Sequence, residues 1–441
     1  MIQALIIFVI TYVLMLSLQK YRHWVALVSA LVFVLLGLGG VYDFTIKDAL
    51  GAVDYNVILM IGGTMGMVTL FIESKMPARL AESLIVSVPN VKWAVMVLSI
   101  FAGVVSAFVD NVATVLMVAP VGLAISKKLK VSPVPVLIAI AVSSNLQGAA
   151  TMVGDTTSML LGSFAKMNFL DFFWMKGKPG IFWGVELGAL ASVVALMYLF
   201  RKNKEPVYEK VTTKVADYVP SFLMIGTVVL LIAASFIKEP VAENGFLQTV
   251  YGMRSGLVCM SMCIFGVIRA CLKRKSLSTI SKVWMEMDKE TLLLLFGLFI
   301  VIEGINKAGV IKAVAGLFYS AAGDNPFALY TLLVFASVAL SAFIDNIPYV
   351  ATMLPVVQSI ASLMNGGEGA APEVFYFGLL TGATLGGNLT PIGASANIAA
   401  IGILRKNGET VKVKDFLRIG VPFTAAAVLT GYAYIWLVWG M

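Results

Sequence analysis

A six-residue segment that occurs twice constrains the fold of this chain more than any other feature. SAFVDN at 106–111 returns as SAFIDN at 341–346, 235 positions later, and Pro120 and Pro355 keep the same offset. Each copy places an Asp and an Asn in an otherwise apolar stretch. An uncompensated charge is costly in lipid, so such a residue is by default a candidate functional residue. Two of them at matching places predict a transporter built from a structural repeat.

The composition indicates that most of this chain is embedded in lipid. Its 441 residues are 59% hydrophobic and 13% charged, with a mean hydropathy of +0.93, whereas soluble domains carry about 25% charged residues. The net charge is +8, but the basic residues lie in short loops, which fits membrane orientation better than nucleic-acid binding. The three cysteines have no disulfide or metal-ligand spacing, and we expect no cofactor. We predict an all-α polytopic membrane protein.

The apolar stretches predict an inverted-topology repeat with about ten full crossings, two re-entrant hairpins and two broken transmembrane helices. Irregular backbone is tolerated at membrane depth only where protein buries it or where it lines a cavity. The predicted units are a first repeat at 1–205, with a hairpin at 93–126 and a broken helix at 131–165; a cytoplasmic linker at 206–219; and a second repeat at 220–441, with a hairpin at 327–365 and a broken helix at 373–404.

Lysines and arginines predict the orientation. They crowd the loops at 201–214 and 273–289, and two spans separate these loops, so both lie on one side. The positive-inside rule makes that side cytoplasmic, and Lys20 and Arg22 fall there as well. We therefore expect a multi-pass protein of the plasma membrane, the inner membrane of a bacterium, with both termini external.

The same count predicts how the repeats are related. Five crossings separate the start of the span at 53–72 from the start of its partner at 290–305. Because five is odd, the second copy is upside down relative to the first. The hairpin with Asp110 then enters from the cytoplasm, and the hairpin with Asp345 enters from outside, so that their discontinuous elements meet near the midplane.

Glycine-rich breaks supply the candidate ligands. The pattern Gly-x-x-Thr-x-x-Gly occurs at 148–154 and 387–393, followed by Asp155 in the first copy and Ala394 in the second. Glycines let the backbone leave the helix, and freed carbonyls with side-chain oxygens can replace the water shell of an ion. The site is therefore predicted to be asymmetric. The predicted ion or substrate ligands are Asp110, Asn111, Asn145, Thr151, Asp155, Thr157, Asp345, Asn346, Asn388, Thr390, Ser395 and Asn397.

The sign of the charges favours cations or protons. The two hairpins and two broken helices contain three Asp and no Lys, Arg or His. They offer a bare anion no fixed positive partner beyond helix N-termini. The competing interpretation is that the three Asp only cap helices, since Asp and Asn are favoured N-caps. A neutral Ser or Asn would cap without burying a charge, which favours a functional role. The threonines, taken singly, have helix packing as their alternative.

These motifs resemble those of the ion transporter superfamily. SAFVDN, GDTTS at 154–158 and GGNLTPIGASAN at 386–397 are similar to the branch of arsenite permeases, NhaD-type sodium/proton antiporters and the melanosomal P protein, which share a citrate-transporter-like domain. The resemblance covers nearly the whole chain. It implies a secondary transporter and a homodimer, in which the transport domain of each protomer moves against a scaffold.

The resemblance to NhaD-type antiporters also implies a sodium site. Their acidic hairpin tip, Asn and Gly-Asp-x-Thr segment correspond here to Asp110, Asn145, Asp155 and Thr157. Asn111 stands where a second acid is expected in those proteins, and NLTPIGASAN is more similar to the P protein and the arsenite permeases. Exchange of Na⁺ for H⁺ is the leading hypothesis.

Other functions stay open at this point. Arsenite or antimonite efflux is an alternative, because its substrate is an uncharged hydroxide that an acidic pocket would not repel. Sodium-coupled uptake of an anion or dicarboxylate is another, since bound Na⁺ could supply the positive charge. An intramembrane aspartyl protease needs Gly-x-Gly-Asp, and Val153 interrupts that motif. A passive channel fits inverted repeats less well. We therefore predict a transporter and not an enzyme.

Overall fold

The first half of the chain is a succession of helices. The structure is a computed structural model that describes residues 1–207, 211–240, 245–364 and 372–441. The helices of the first half are α1 Ile2–Ser17, α2 Arg22–Leu38, α3 Ile46–Gly51, α4 Tyr55–Glu73, α5 Met76–Val86, α6 Val91–Ser106, α7 Asn111–Lys128, α8 Pro133–Gln147, α9 Thr156–Phe164 and α10 Ile181–Leu199.

The second half follows the same plan. A π-helix, Thr381–Leu385, and a 3₁₀ turn, Gly387–Leu389, separate its last helices. The helices are α11 Val219–Ser235, α12 Gly245–Gly252, α13 Arg254–Arg274, α14 Ser278–Glu286, α15 Lys289–Lys307, α16 Val310–Ala322, α17 Pro326–Ser341, α18 Asn346–Met364, α19 Glu373–Leu380, α20 Ser395–Lys406 and α21 Val413–Trp439.

The all-α prediction is confirmed. In the described ranges the only strands are two-residue pieces, β1 Trp174–Met175 and β2 Lys178–Pro179, which pair as a small hairpin. Six described helices are long and apolar enough to cross a membrane, or seven when the bent pair α15 and α16 is counted as one span. Several other apolar helices have 15 to 17 residues, short of the roughly 20 that a straight crossing needs. The count of ten crossings stays a prediction.

Both hairpins and both broken helices are present. Helices α6 and α7 cover the range predicted for the first hairpin, and α17 and α18 cover that of the second up to Met364, because residue 365 lies outside the described residues. Polar caps set the starts of two helices: α6 begins two residues before the predicted 93, and α8 begins two residues after the predicted 131. Asn90 accepts a hydrogen bond from the Trp93 amide, and Ser132 accepts one from the Val134 amide.

Four helices pack in two pairs, and we call them the scaffold helices: α2, α4, α13 and α15. Helix α4 packs on α13, and α15 packs on α2. A Cβ added to Gly63 would lie 2.4 Å from the backbone of Cys259, and one added to Gly297 would lie 2.7 Å from the backbone of Ala26. The two glycines are 234 positions apart. The repeat therefore includes the close approach of helix backbones that these glycines allow.

The predicted linker binds to the amphipathic helix α5. Glu82 accepts hydrogen bonds from the amides of Thr212 and Thr213, both at 2.9 Å. Burial raises the pKa of the Asp217 carboxyl, but hydrogen bonds from Arg269 and Lys273 outweigh burial and hold it well below its ordinary value. Residues 208–210 of this linker lie outside the described residues. The described part is thus anchored at both α5 and α13.

The first broken helix lies at the centre of the molecule. Every residue from 136 to 162 is buried. Helix α8 contacts α6, α7, α20 and α21, so elements of both repeats enclose it. A polar side chain in this segment therefore has to find its hydrogen-bond partners inside the protein.

Candidate functional site

The hairpin tips and the helix breaks make the same contacts in both repeats. The Thr151 hydroxyl donates to the carbonyl of Ala107, and the Thr390 hydroxyl donates to the carbonyl of Ala342. A Cβ added to Gly154 would lie 2.8 Å from the Ser106 carbonyl oxygen, and one added to Gly393 would lie 2.7 Å from the Ser341 carbonyl oxygen. The tips can approach the breaks this closely only because glycine has no side chain. Thr151 and Thr390 thus hold tip to break.

Six buried polar side chains form a hydrogen-bonded group where the repeats meet. Asn145 is at its centre: its Nδ2 donates to the carbonyl of Thr384 at 2.8 Å, and its Oδ1 accepts from Asn111 at 2.9 Å. Asn145 and Thr384 are 239 positions apart, the offset of the glycine patterns, so this bond joins equivalent positions of the two repeats. We call the group the central cluster; its members are Asn111, Asn145, Asp155, Thr157, Asn346 and Thr384.

Asp155 is the charged member of the central cluster and is 2% exposed. Its Oδ1 accepts a hydrogen bond from the Thr156 amide at 2.7 Å. Its Oδ2 accepts from the Thr157 hydroxyl at 2.9 Å and from Nδ2 of Asn346, in the other repeat, at 3.2 Å. No Lys, Arg or His in the described part of the chain forms an ion pair with it. The carboxylate is therefore solvated by hydrogen bonds but has no counter-charge among the described residues.

Thr384 belongs to the site but is absent from the sequence prediction. It lies in the π-helix, a type of element that is often found at functional sites. Its hydroxyl lies 3.0 Å from the hydroxyl of Thr157. Because the Thr157 proton points to Asp155, Thr384 donates in this contact. The 239-residue offset from Asn145 is a signal that could have identified it.

Asp110 lies apart from the central cluster. Its Oδ2 accepts hydrogen bonds from the amides of Val112 and Ala113 at 3.0 and 3.1 Å, so it caps α7, which is the contact that the capping interpretation predicts. It remains within electrostatic range of Asp155. Of the four residues predicted to hold Na⁺, only Asp155 and Thr157 are bonded directly to each other.

The second hairpin tip contains an ion pair that corrects the sequence prediction. Arg22 Nη1 contacts Oδ2 of Asp345, and Ser395 donates to the same oxygen at 2.9 Å. The expectation that the site offers no fixed positive charge was wrong, because Arg22 comes from outside the motif elements. Arg22 also does not lie in a solvated loop but begins α2.

Two asparagines of the second broken helix carry unused oxygens. Asn388 Nδ2 donates to the carbonyl of Val142 at 2.9 Å, and Asn397 Nδ2 donates to the carbonyls of Gly387 and Thr390 at 3.2 and 3.1 Å. Both side chains are fully buried, and their Oδ1 atoms accept no hydrogen bond from a described residue. An unpaired buried acceptor is costly, so these oxygens are available to a cation or another donor.

Within the described ranges, no group of three or more His, Cys, Asp or Glu side chains could hold a metal ion. The clustered ligands are instead one carboxylate with amide, hydroxyl and carbonyl oxygens. Such a set suits a hard cation that binds oxygen. It could equally hold a proton on Asp155.

Solved structures share this fold. The YdaH transporter of Alcanivorax borkumensis superposes with a TM-score of 0.58 at 15% sequence identity, over 89% of this chain and 87% of that one. MtrF of Neisseria gonorrhoeae, from a class of antimetabolite efflux pumps, superposes with a TM-score of 0.56 at 16% identity, over 92% of this chain and 84% of that one. At such identities the likeness concerns the fold.

Sequence relatives cover most of this chain. The uncharacterized transporter Rv2685 of Mycobacterium tuberculosis is 29% identical over 438 residues, 98% of each chain. The human P protein is 25% identical over 448 residues, 87% of this chain and 53% of its own length. The family model for CitMHS, citrate transporter, matches residues 6–382. The chain is therefore a membrane transporter that belongs to the CitMHS citrate transporter family.

Proposed function

We propose that this protein is a secondary active transporter that exchanges a monovalent cation, Na⁺ in the first instance, for H⁺ by alternating access. The observation that carries the proposal is Asp155, a buried carboxylate between the two repeats with no basic partner among the described residues. A buried charge of this kind is stable only when it is compensated. A cation or a proton would supply the compensation in turn.

The neighbouring groups define how the exchange would work. The Thr157 hydroxyl, the Asn145 amide oxygen and the Thr384 carbonyl lie in one hydrogen-bonded network with the Asp155 carboxylate. When Na⁺ binds, these oxygens would replace part of its water shell, and the proton would leave Asp155. When Asp155 is protonated again, its attraction for Na⁺ is lost and the ion is released. Asp110 adds negative potential nearby.

A second candidate is cation-coupled transport of a carboxylate. The observation that favours it is Arg22, which with Lys20 lines a cavity of about 300 Å³ beside Asp345. An arginine binds carboxylates through paired hydrogen bonds. Citrate, named in the family description, is the first substrate to test, and arsenite, the uncharged alternative, is the second.

The resemblance to the ion transporter superfamily supports further proposals about the assembly. We propose a homodimer in the plasma membrane with both termini external, in which the hairpins and broken helices move against the scaffold helices.

The test is coupled flux in proteoliposomes loaded with a pH-sensitive dye. Addition of Na⁺, Li⁺, K⁺, citrate or arsenite in turn identifies the substrate by the proton movement that it drives. In the Asp155→Asn variant we expect cation-driven flux to fall to the background of protein-free liposomes, because Asn keeps the cap but does not ionise. Asp54→Asn is the matched control, since Asp54 caps α4 through the Val57 amide away from the central cluster.

Competition for one carboxylate also predicts a pH effect. The apparent Km for the cation should rise as the pH falls, by up to about tenfold per unit below the controlling pKa. Robust Na⁺-driven proton flux in folded Asp155→Asn protein would overturn the mechanism. If only citrate or arsenite drives flux, that compound and not the cation is the substrate.

A further inference from the structure

An ion pair ties the second hairpin tip to α2. Arg22 contacts Oδ2 of Asp345, which also accepts from Ser395 at 2.9 Å, while Oδ1 accepts from the Ile347 amide at 3.3 Å. The side chains of Arg22 and Asp345 are 21% and 12% exposed. Because the pair is largely withdrawn from solvent, removal of either partner would leave the other charge poorly compensated.

The partners belong to elements that an alternating-access movement would separate. Arg22 begins α2, which is fixed to α15 by the backbone contact at Gly297. Asp345 lies at the tip between α17 and α18, and Ser395 begins α20. The acidic residues Asp288 and Glu290 at the start of α15 also act electrostatically on Arg22. The hairpin cannot leave α2 unless the ion pair breaks.

The first hairpin tip has no such pair. Asp110, at the position equivalent to Asp345, forms no ion pair within the described ranges and only caps its helix. The first repeat adds Asp155 where the second has Ala394. The first site therefore presents two carboxylates without a basic partner, whereas the second presents one carboxylate that Arg22 already neutralises.

We propose that Arg22 is a tethered cation that locks the cation-free carrier, because it occupies Asp345 until a transported cation or a proton replaces it. The inference rests on the proposed cation/proton exchange. An exchanger has to prevent the return of the empty carrier, since that return would dissipate the gradient. Arg22 supplies this restraint: with Asp345 otherwise empty, the ion pair holds the second hairpin against the scaffold, and a competing cation releases it.

Transport measurements separate the lock from a structural role. In Arg22→Gln we expect net cation efflux into medium without counter-cation to rise by at least about fivefold, the lower end of typical coupling effects, while exchange continues. Arg22→Lys keeps the charge and should keep the leak low. Arg254→Gln is the matched control. Arg254 begins α13, the scaffold helix that packs on α4 as α2 packs on α15, and it forms no ion pair within 4 Å in the described ranges.

A distance measurement tests the lock independently of the substrate. Spin labels are placed at Trp24 and Phe343, both exposed, in a cysteine-free background. We expect one short distance between the labels in the otherwise unmodified protein and in Arg22→Lys. In Arg22→Gln we expect a broader distribution of distances. Unchanged leak and distance in folded Arg22→Gln would overturn the lock. Loss of all exchange at an unchanged distance would also overturn it, and would assign Arg22 to a substrate carboxylate. The two proposals can also fail separately. A broadened distance in Arg22→Gln, together with no cation flux in the unmodified protein, would support the lock and overturn the exchange function.

Discussion

At the scale of single residues, Thr157 has two hydrogen bonds that depend on its hydroxyl. It donates to Asp155 at 2.9 Å and lies 3.0 Å from the Thr384 hydroxyl. Thr157→Val keeps the shape and removes both bonds. We expect the apparent Km for the cation to rise about 2- to 12-fold, from a loss of about 0.5–1.5 kcal/mol, with little change in turnover, because a neutral oxygen holds the ion but does not exchange its proton.

Thr156→Val is the control for this prediction, since the Thr156 hydroxyl makes no hydrogen bond to a described residue and only its amide contacts Asp155. The measurement is the initial rate of dye-reported flux across a range of cation concentrations. An equal change of Km in both variants would show that Thr157 contributes only through helix packing.

The sequence predicts some residues of the site because they stand next to repeated motifs. Asp155 and Thr157 stand out as polar residues at a glycine-rich break. Arg22 does not, because its partner Asp345 is 323 positions away and only the docking of hairpin against scaffold brings them together. Thr384 lies with a second threonine in the apolar segment TGATL, and only its 239-residue offset from Asn145 distinguishes it. Local chemistry is visible in the sequence, whereas contacts between the repeats depend on the three-dimensional packing.

At the scale of elements, the scaffold pairs depend on glycines at their closest contacts. A Cβ at Gly297 would lie 2.7 Å from the Ala26 backbone, whereas one at Gly316 in α16 meets nothing within 4 Å. We expect Gly297→Ala to destabilise the protein by about 1–3 kcal/mol, as overpacking does. Gly316→Ala should be neutral or slightly stabilising, because Ala favours helix more than Gly.

Thermal unfolding in detergent measures both glycine variants. Since α2 carries Arg22, displacement of α2 from α15 should also weaken the pair with Asp345, so Gly297→Ala should share part of the leak expected for Arg22→Gln. A Gly297→Ala protein as stable as Gly316→Ala would show that α2 shifts away without cost.

The elements themselves were largely predictable, and their ends were predictable only in part. Hydropathy located the hairpins and broken helices to within a few residues, because an apolar stretch in lipid has to be helical. The caps moved two of the starts: α6, capped by Asn90, begins two residues earlier than predicted, and α8, capped by Ser132, begins two residues later. The π-helix at Thr381–Leu385 could not be predicted, since its geometry depends on packing against α17 and α8 and not on a local motif.

At the scale of the whole molecule, the two repeats are alike in contacts and different in charge. The paired glycines Gly154 and Gly393 meet equivalent carbonyls. In the described ranges, however, one repeat holds two carboxylates without a basic partner, and the other holds an ion pair. Alternating access in inverted repeats needs two repeats that exchange conformations around a fixed site. In the proposed mechanism, this charge difference gives each repeat a different condition for release: a cation at Asp155 in one, and displacement of Arg22 in the other.

The orientation of the molecule in the membrane is the last prediction. Parity of crossings and the positive-inside rule place the linker and the segment at 273–289 in the cytoplasm, and the small hairpin of β1 and β2 outside. Single cysteines at Lys204, Leu277 and Trp174, all exposed, in a background without Cys259, Cys263 and Cys271 test this. A membrane-impermeant maleimide on intact cells should label position 174 alone, and on inverted vesicles positions 204 and 277. Labelling of position 277 on intact cells, while position 204 is labelled only on inverted vesicles, would contradict the inverted arrangement. An even number of crossings would then separate the repeats, and both hairpins would open to the same side.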